Sequence, residues 1–260
     1  MNEIVKYLVQ DFSQLDEIEG IILGGSQATN TTDEGSDYDL YFYYSKEIPI
    51  KKREEICNKY FKKIEINNTY WEVEDDGVLN DGTPVEIIYR EVSWIKGSLE
   101  RTLIKCEGDI GYTTCFWASV KNSIVLYDKE GKLRELQEMC NIPYPQKLKE
   151  NIIKKNFPLL EDEMFSYYHQ IEKALKRHDY VSVNHRVAAF FASYFDIIFA
   201  INEYLHPGEK KILKIIKDKN LKVPNGMEKN VLNILKYSGL NDIRILNEIH
   251  ELVSNLKDVI

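Results

Sequence analysis

Residues 24–44 read GGSQATNTTDEGSDYDLYFYY. Gly24, Gly25 and Ser26 close the short apolar run IEGIIL, and eleven residues after the serine Asp37 and Asp39 open a run of aromatics. A run of this kind, bounded by glycine on one side and aromatic on the other, reads as two buried strands joined across a polar loop. In a strand, residues two apart point to the same face, so Asp37 and Asp39 stand side by side while Tyr38 and Leu40 face the other way. Two carboxylates so close repel, and a cation between them relieves the repulsion. Mg²⁺ fits, since it takes oxygen ligands and keeps positions open for water and phosphate. Glycines at a strand end let backbone N–H groups approach an anion, and the Ser26 hydroxyl can donate to a phosphate oxygen. Gly24, Gly25 and Ser26 are therefore expected at a phosphate.

A third acid lies in PVEIIY, where Glu86 interrupts Val85, Ile87 and Ile88. A carboxylate among such residues is expensive to bury without a partner. Taken singly, a glycine pair is a turn and a DxD pair a solvated strand end. The ordered set of phosphate loop, paired acids and distant third acid fits metal-assisted displacement at phosphorus.

Outward from this stretch, residues 3–15 have helical spacing, as do residues 49–63. TYWEVED and TPVEIIYR read as strands, with Asp76-Gly77 and Asp81-Gly82 as turns, and SIVLYD adds another strand. From Pro145 onward the periodicity is helical, in segments 146–155, 158–177, 180–205, 209–219, 226–238 and 241–258. The expected fold class is α+β: an N-terminal mixed sheet with flanking helices over 1–140, then an all-helical bundle over 141–260.

The 260 residues are 43% hydrophobic and 29% charged, enough for a proper core. A net charge of -8 argues against a nucleic-acid-coating surface. The four cysteines form no CxxC pair and the five histidines no ligand spacing, which points to a reducing cytoplasm and away from a zinc site. The N-terminus lacks a signal-peptide pattern, and the apolar stretch 187–201 is interrupted by Asp196 and too short to span a bilayer, so no membrane is expected. RHDYVSVNH reads as a helix junction around Arg177 and Asp179, and the aromatics from Phe190 to Phe199 as core packing. Trp71, Trp94 and Trp117 read first as core anchors. The acids Glu72, Glu74, Asp75, Asp76 and Asp81 read as a solvated hairpin.

Gly25-Ser26, Asp37 with Asp39, and Glu86 resemble the signature of the nucleotidyltransferase superfamily shared with DNA polymerase β. The two-domain layout is similar to bacterial antibiotic nucleotidyltransferases, such as the aminoglycoside and lincosamide enzymes. It is more similar still to a group of uncharacterised bacterial proteins whose helical domain carries a phrase like AINEYLHPGEK, residues 200–210 here. The resemblance implies transfer of a nucleoside monophosphate, usually AMP from ATP, to an acceptor hydroxyl with release of pyrophosphate. Asp37 and Asp39 would then bind Mg²⁺. Glu86 would complete the metal site, act as general base, or both. Tyr204 and Lys210 would contact the nucleotide, Lys210 neutralising the triphosphate. A small molecule, with antibiotics among the candidates, is the first acceptor class implied; a protein or RNA end is the second. A nucleotide sensor or antitoxin-like module without turnover is the third reading, and the intact acids weigh against it.

Overall fold

The apolar run after the first helix becomes an inner strand of a mixed sheet in the computed structural model, which describes residues 1–29 and 37–260. Residues 30–36 of the opening stretch lie outside the described part. The chain divides into two compact units, Met1–Glu100 with Phe116–Ile142, and Arg101–Cys115 with Pro143–Ile260.

In the first unit the strands are β1 (Ile18–Leu23), β2 (Tyr38–Tyr44), β3 (Phe61–Asn68), β4 (Glu74–Leu79), β5 (Pro84–Glu91) and β6 (Ile124–Asp128). Their order is β3-β4-β5-β2-β1-β6, with β2 and β5 parallel and the other pairs antiparallel. Strand β1 is buried along its whole length, which explains its unbroken apolar character. Helices α1 (Glu3–Phe12) and α3 (Ile50–Tyr60) cover one face, with Val5, Leu8, Phe12 and Ile56 packed on Leu40, Phe42, Ile87 and Tyr89. Asn2 caps α1 by accepting from the Ile4 amide at 2.8 Å.

The opposite face is covered in part by α5 (Cys115–Asn122) and α6 (Lys132–Met139), whose Val120, Leu133 and Leu136 meet Ile22 and Tyr43. Trp117 anchors α5, buried and donating its indole N–H to Cys140 O at 2.9 Å. The remaining part of this face, where β2 and β5 carry their acids, is half-buried.

The described fold corrects several local expectations. The helix expected to 63 ends at Tyr60 and passes directly into β3, a lysine-bearing strand at the sheet edge. Charged edge strands resist pairing with other chains, and the same charges hide them from a strand reading. TYWEVED is largely not a strand: Tyr70 and Trp71 are exposed before β4 starts at Glu74. Asp76-Gly77 is not a turn but the middle of β4, where glycine is kept because a side chain at 77 would stand 2.6 Å from Lys63 O. Asp75, expected to be solvated, is fully buried, paired with Arg53 at 3.5 Å and accepting from the Tyr89 hydroxyl and the Asn67 amide, both at 2.7 Å.

The second unit is mostly helical: α7 (Gln146–Leu160), α8 (Tyr167–Lys176), α9 (Tyr180–Ile201), α10 (Ile212–Asp218), α11 (Met227–Ser238) and α12 (Arg244–Lys257). The long α9 runs through its core, Val187, Phe190, Tyr194, Ile197 and Ile198 packing on Ile171, Ile234, Ile249 and Leu252. Asp179 caps α9 by accepting from the Ser182 amide. Helix α7 runs through the gap expected between segments 146–155 and 158–177; Pro158 sits inside its last turn, where a missing N–H costs one hydrogen bond. Asp196, the one acid in the apolar α9 stretch, accepts from the Thr113 amide at 3.0 Å and the Thr113 hydroxyl at 2.6 Å. Asn156 on α7 adds bonds to Gly111 N and Asp109 O, so segment 109–113 is tied to two helices of this unit. Burial pushes the Asp196 carboxyl up to about 7, against the opposing pull of the Thr113 bonds. Among the described residues no helix is long and apolar enough to cross a membrane.

Candidate active site

Parallel pairing of β2 with β5 sets Asp39 opposite Glu86. Cross-strand partners share a face, so the strand alternation that puts Asp37 beside Asp39 also puts Glu86 beside both. One carboxylate oxygen from each of Asp37, Asp39 and Glu86 lies within 4.8 Å of the others, and all three residues are half-buried. Among the described residues this is the group of acids, histidines or cysteines arranged so that it could hold a metal ion.

The row does not end there. Antiparallel pairing sets Asp76 of β4 opposite Glu86, and Glu74 shares its face. Burial raises the Glu86 carboxyl above the usual range, and the charges of Asp37, Asp39, Asp76 and Glu74 raise it further. Asp76 and Glu74 had been read as part of a solvated hairpin; the register that joins them to the trio is not a local property of the sequence.

The glycine loop touches the trio directly. Helix α2 (Gly25–Thr29) begins where β1 ends. Gly24 donates its amide to Asp39 O at 2.9 Å, which fixes the loop to β2. A side chain at Gly24 would meet the Tyr41 ring at 2.5 Å. Gly25 has φ +59°, and a Cβ there would stand 1.6 Å from the Asp39 carboxylate oxygen. Both reasons demand glycine, the left-handed backbone and the close approach. Ser26, in the first turn of α2, is half-buried.

Tyr204 and Lys210 belong to the second unit. Tyr204 packs its ring 5.9 Å from Phe199, against that unit's core, and Lys210 is exposed. Asn202 ends α9, its side chain bonding Ile198 O, Lys222 O and Lys222 N.

The nucleotidyltransferase domain family model matches residues 3–107, which contain the loop and all three acids, and a domain of unknown function, DUF4037, matches residues 114–211. No curated protein matches the chain. A solved nucleotidyltransferase-like protein from Exiguobacterium sibiricum is similar at 10% identity and a TM-score of 0.45, over 99% of this chain and 73% of that one. An aminoglycoside 6-adenyltransferase from Bacillus subtilis is similar at 9% identity and a TM-score of 0.30, over 99% and 92%. Residues 3–107, with the loop and its three acids, match the nucleotidyltransferase domain family, and nucleotidyl transfer is the activity that match supports.

Proposed function

We propose that the chain transfers a nucleoside monophosphate, AMP from ATP in the first instance, to a hydroxyl of a small-molecule acceptor and releases pyrophosphate. The observation that carries this reading is the convergence of Asp37, Asp39 and Glu86 within 4.8 Å on one sheet face, with Gly25 seated against Asp39. The donor set is all carboxylate oxygen, which suits a hard cation such as Mg²⁺; burial first, and then the neighbouring acids, push the Glu86 carboxyl up, and a cation there would offset the repulsion among the acids. Asp37, Asp39 and Glu86 would hold that ion. When bound, Mg²⁺ supplies Lewis-acid polarisation of the phosphoryl group and offsets its negative charge.

The remaining work falls to the chain itself. The Gly25 and Ser26 backbone, with the Ser26 hydroxyl, binds phosphate oxygens at the point where α2 begins. Glu86 takes the acceptor hydroxyl proton on its carboxylate, and the burial that raises this carboxyl suits it to that role. The acceptor oxygen forms a bond to the α-phosphorus, and the bond to the departing pyrophosphate breaks with its electron pair going to the leaving group. Tyr204 and Lys210 are proposed nucleotide contacts from the second unit. A chain of net charge -8, with Glu74 and Asp76 flanking Glu86, favours a neutral or cationic acceptor over a nucleic acid.

Asp39→Asn tests the reading, because it preserves shape and removes one charge. Mg²⁺-dependent pyrophosphate release from ATP with a cell-extract acceptor pool should disappear while the circular dichroism spectrum is unchanged. Retained release in that variant would sink the assignment. Mass spectrometry of the same reaction, searching for acceptors heavier by one AMP, identifies the acceptor.

A further inference from the structure

The acid face continues along β2 and β5 into a group of rings around one guanidinium. Strand alternation puts Tyr41 on the face of Asp39, and Arg90 on the face of Glu86. At a rise of roughly 3.3 Å per residue, Tyr41 stands about 7 Å and Arg90 about 13 Å along the strands from the trio. The Arg90 guanidinium lies 4.8 Å from the Tyr41 ring centre and 5.3 Å from those of Trp94 and Phe116. Trp94, in the first turn of α4 (Val92–Leu99), meets Phe116 edge to face at 5.0 Å. Trp94 nevertheless leaves 47% of its surface open and Phe116 37%. Trp117 is buried and Trp71 is 87% exposed, so among the tryptophans Trp94 alone is both exposed and held by neighbouring rings.

Those features define what such a surface can bind. A fixed, open aromatic ring offers stacking area at little entropy cost. Arg90 does not make the place an anion site, because Glu72 takes it in a two-point pair at 2.7 and 2.6 Å. The surface therefore favours an uncharged flat ring over a phosphate. Its near end is Tyr41, whose ring fills the space that a side chain on Gly24 would need, at the start of the glycine loop. One molecule reaching from that loop across Tyr41 toward Trp94 would be a nucleotide. Resting on the nucleotidyl-transfer reading, we infer that Trp94, with Phe116 and Tyr41, forms the stacking subsite for the base of the nucleoside triphosphate.

The test is titration calorimetry of the full chain in Mg²⁺ with ATP, GTP, CTP and UTP, and with tripolyphosphate as a probe that has no base. Trp94→Leu, checked for folding by circular dichroism, should weaken the preferred triphosphate about ten-fold and leave tripolyphosphate unchanged. Trp94→Phe should recover most of the loss, and Phe116→Leu should show a smaller one. Triphosphate affinity unchanged in Trp94→Leu overturns the inference, as does equal weakening of triphosphate and tripolyphosphate. A variant that binds the triphosphate normally but loses turnover also overturns it, since the ring would then serve the acceptor. A wild-type chain that binds no triphosphate refutes the transfer reading itself and the inference with it.

Discussion

Gly25→Ala separates two reasons for one glycine. The substitution places a Cβ 1.6 Å from the Asp39 carboxylate oxygen and 2.6 Å from its carbon. Ordinary contact begins at 3.4 Å, so the carboxylate must retreat by about 1.8 Å or the loop must give way. A displacement on the order of 1 Å in a catalytic group costs roughly 10²-fold in rate. The backbone adds its own penalty, since alanine at φ +59° costs about 1–2 kcal/mol. Gly131→Ala is the matched control: it too has positive φ, +80°, yet a Cβ there meets nothing within 4 Å. The control should lose similar stability in urea and keep full pyrophosphate release. Gly25→Ala should lose at least as much stability, roughly 10²-fold in release, and affinity for Mn²⁺ measured by electron paramagnetic resonance. If Gly25→Ala matched the control in both release and Mn²⁺ affinity, the close approach of the loop to Asp39 would have no part in the chemistry.

Two further predictions concern the scaffold. Arg53→Ala strands the fully buried Asp75 charge and should destabilise the first unit by about 3–5 kcal/mol in urea, whereas Arg53→Met with Asp75→Asn should recover much of it; a loss under ~1 kcal/mol for the single variant refutes the pairing. Asp196 titrates at about 7 folded and near 3.9 unfolded, so between those values the folded chain holds the extra proton, and this group makes stability fall as pH rises. His206, held down to about 4 by burial, acts oppositely, removing stability as pH falls from about 6.5 toward 4. Asp196→Asn keeps an acceptor for the Thr113 amide and removes only the first effect, so its urea midpoint should rise with pH from about 4 to 7 more steeply than the wild type. Parallel profiles would refute the Asp196 assignment.

Residues whose pattern repeats along one strand were legible. The two-residue spacing of Asp37 and Asp39, and the acid set into Val85, Ile87 and Ile88, are local facts, and the structure gathers those three carboxylates. The run into β3 was not legible, because FKKIEINN pairs on one side only and fills its free side with lysine and glutamate, like the helix before it. Gly77 looked like a turn residue for a related reason. Sequence displays which backbone shapes glycine allows, whereas its use here is to leave room against Lys63 O on a neighbouring strand, which a Cβ would meet at 2.6 Å. Asp75 and Asp76 are adjacent in sequence and opposite in fate, one buried against Arg53 and Tyr89, the other in the row with Glu86. Only the face decides between them, and only pairing with β5 sets the face.

The same distinction changes what the glycine loop does. Read along the chain, Gly24 and Gly25 are bare backbone for an approaching phosphate. In the fold they are first bare backbone for β2: Gly24 admits the Tyr41 ring and ties itself to Asp39 O, and Gly25 admits the Asp39 carboxylate. Loop and acids thus restrain each other. Asp39 cannot swing toward the loop without striking Gly25, and α2 cannot shift toward the sheet without moving Asp39. A phosphate contact at Ser26 and a cation at Asp39 would then be coupled through this shared contact between loop and strand. Replacing either glycine should perturb both binding events together, a coupling that independent phosphate and metal sites would not show.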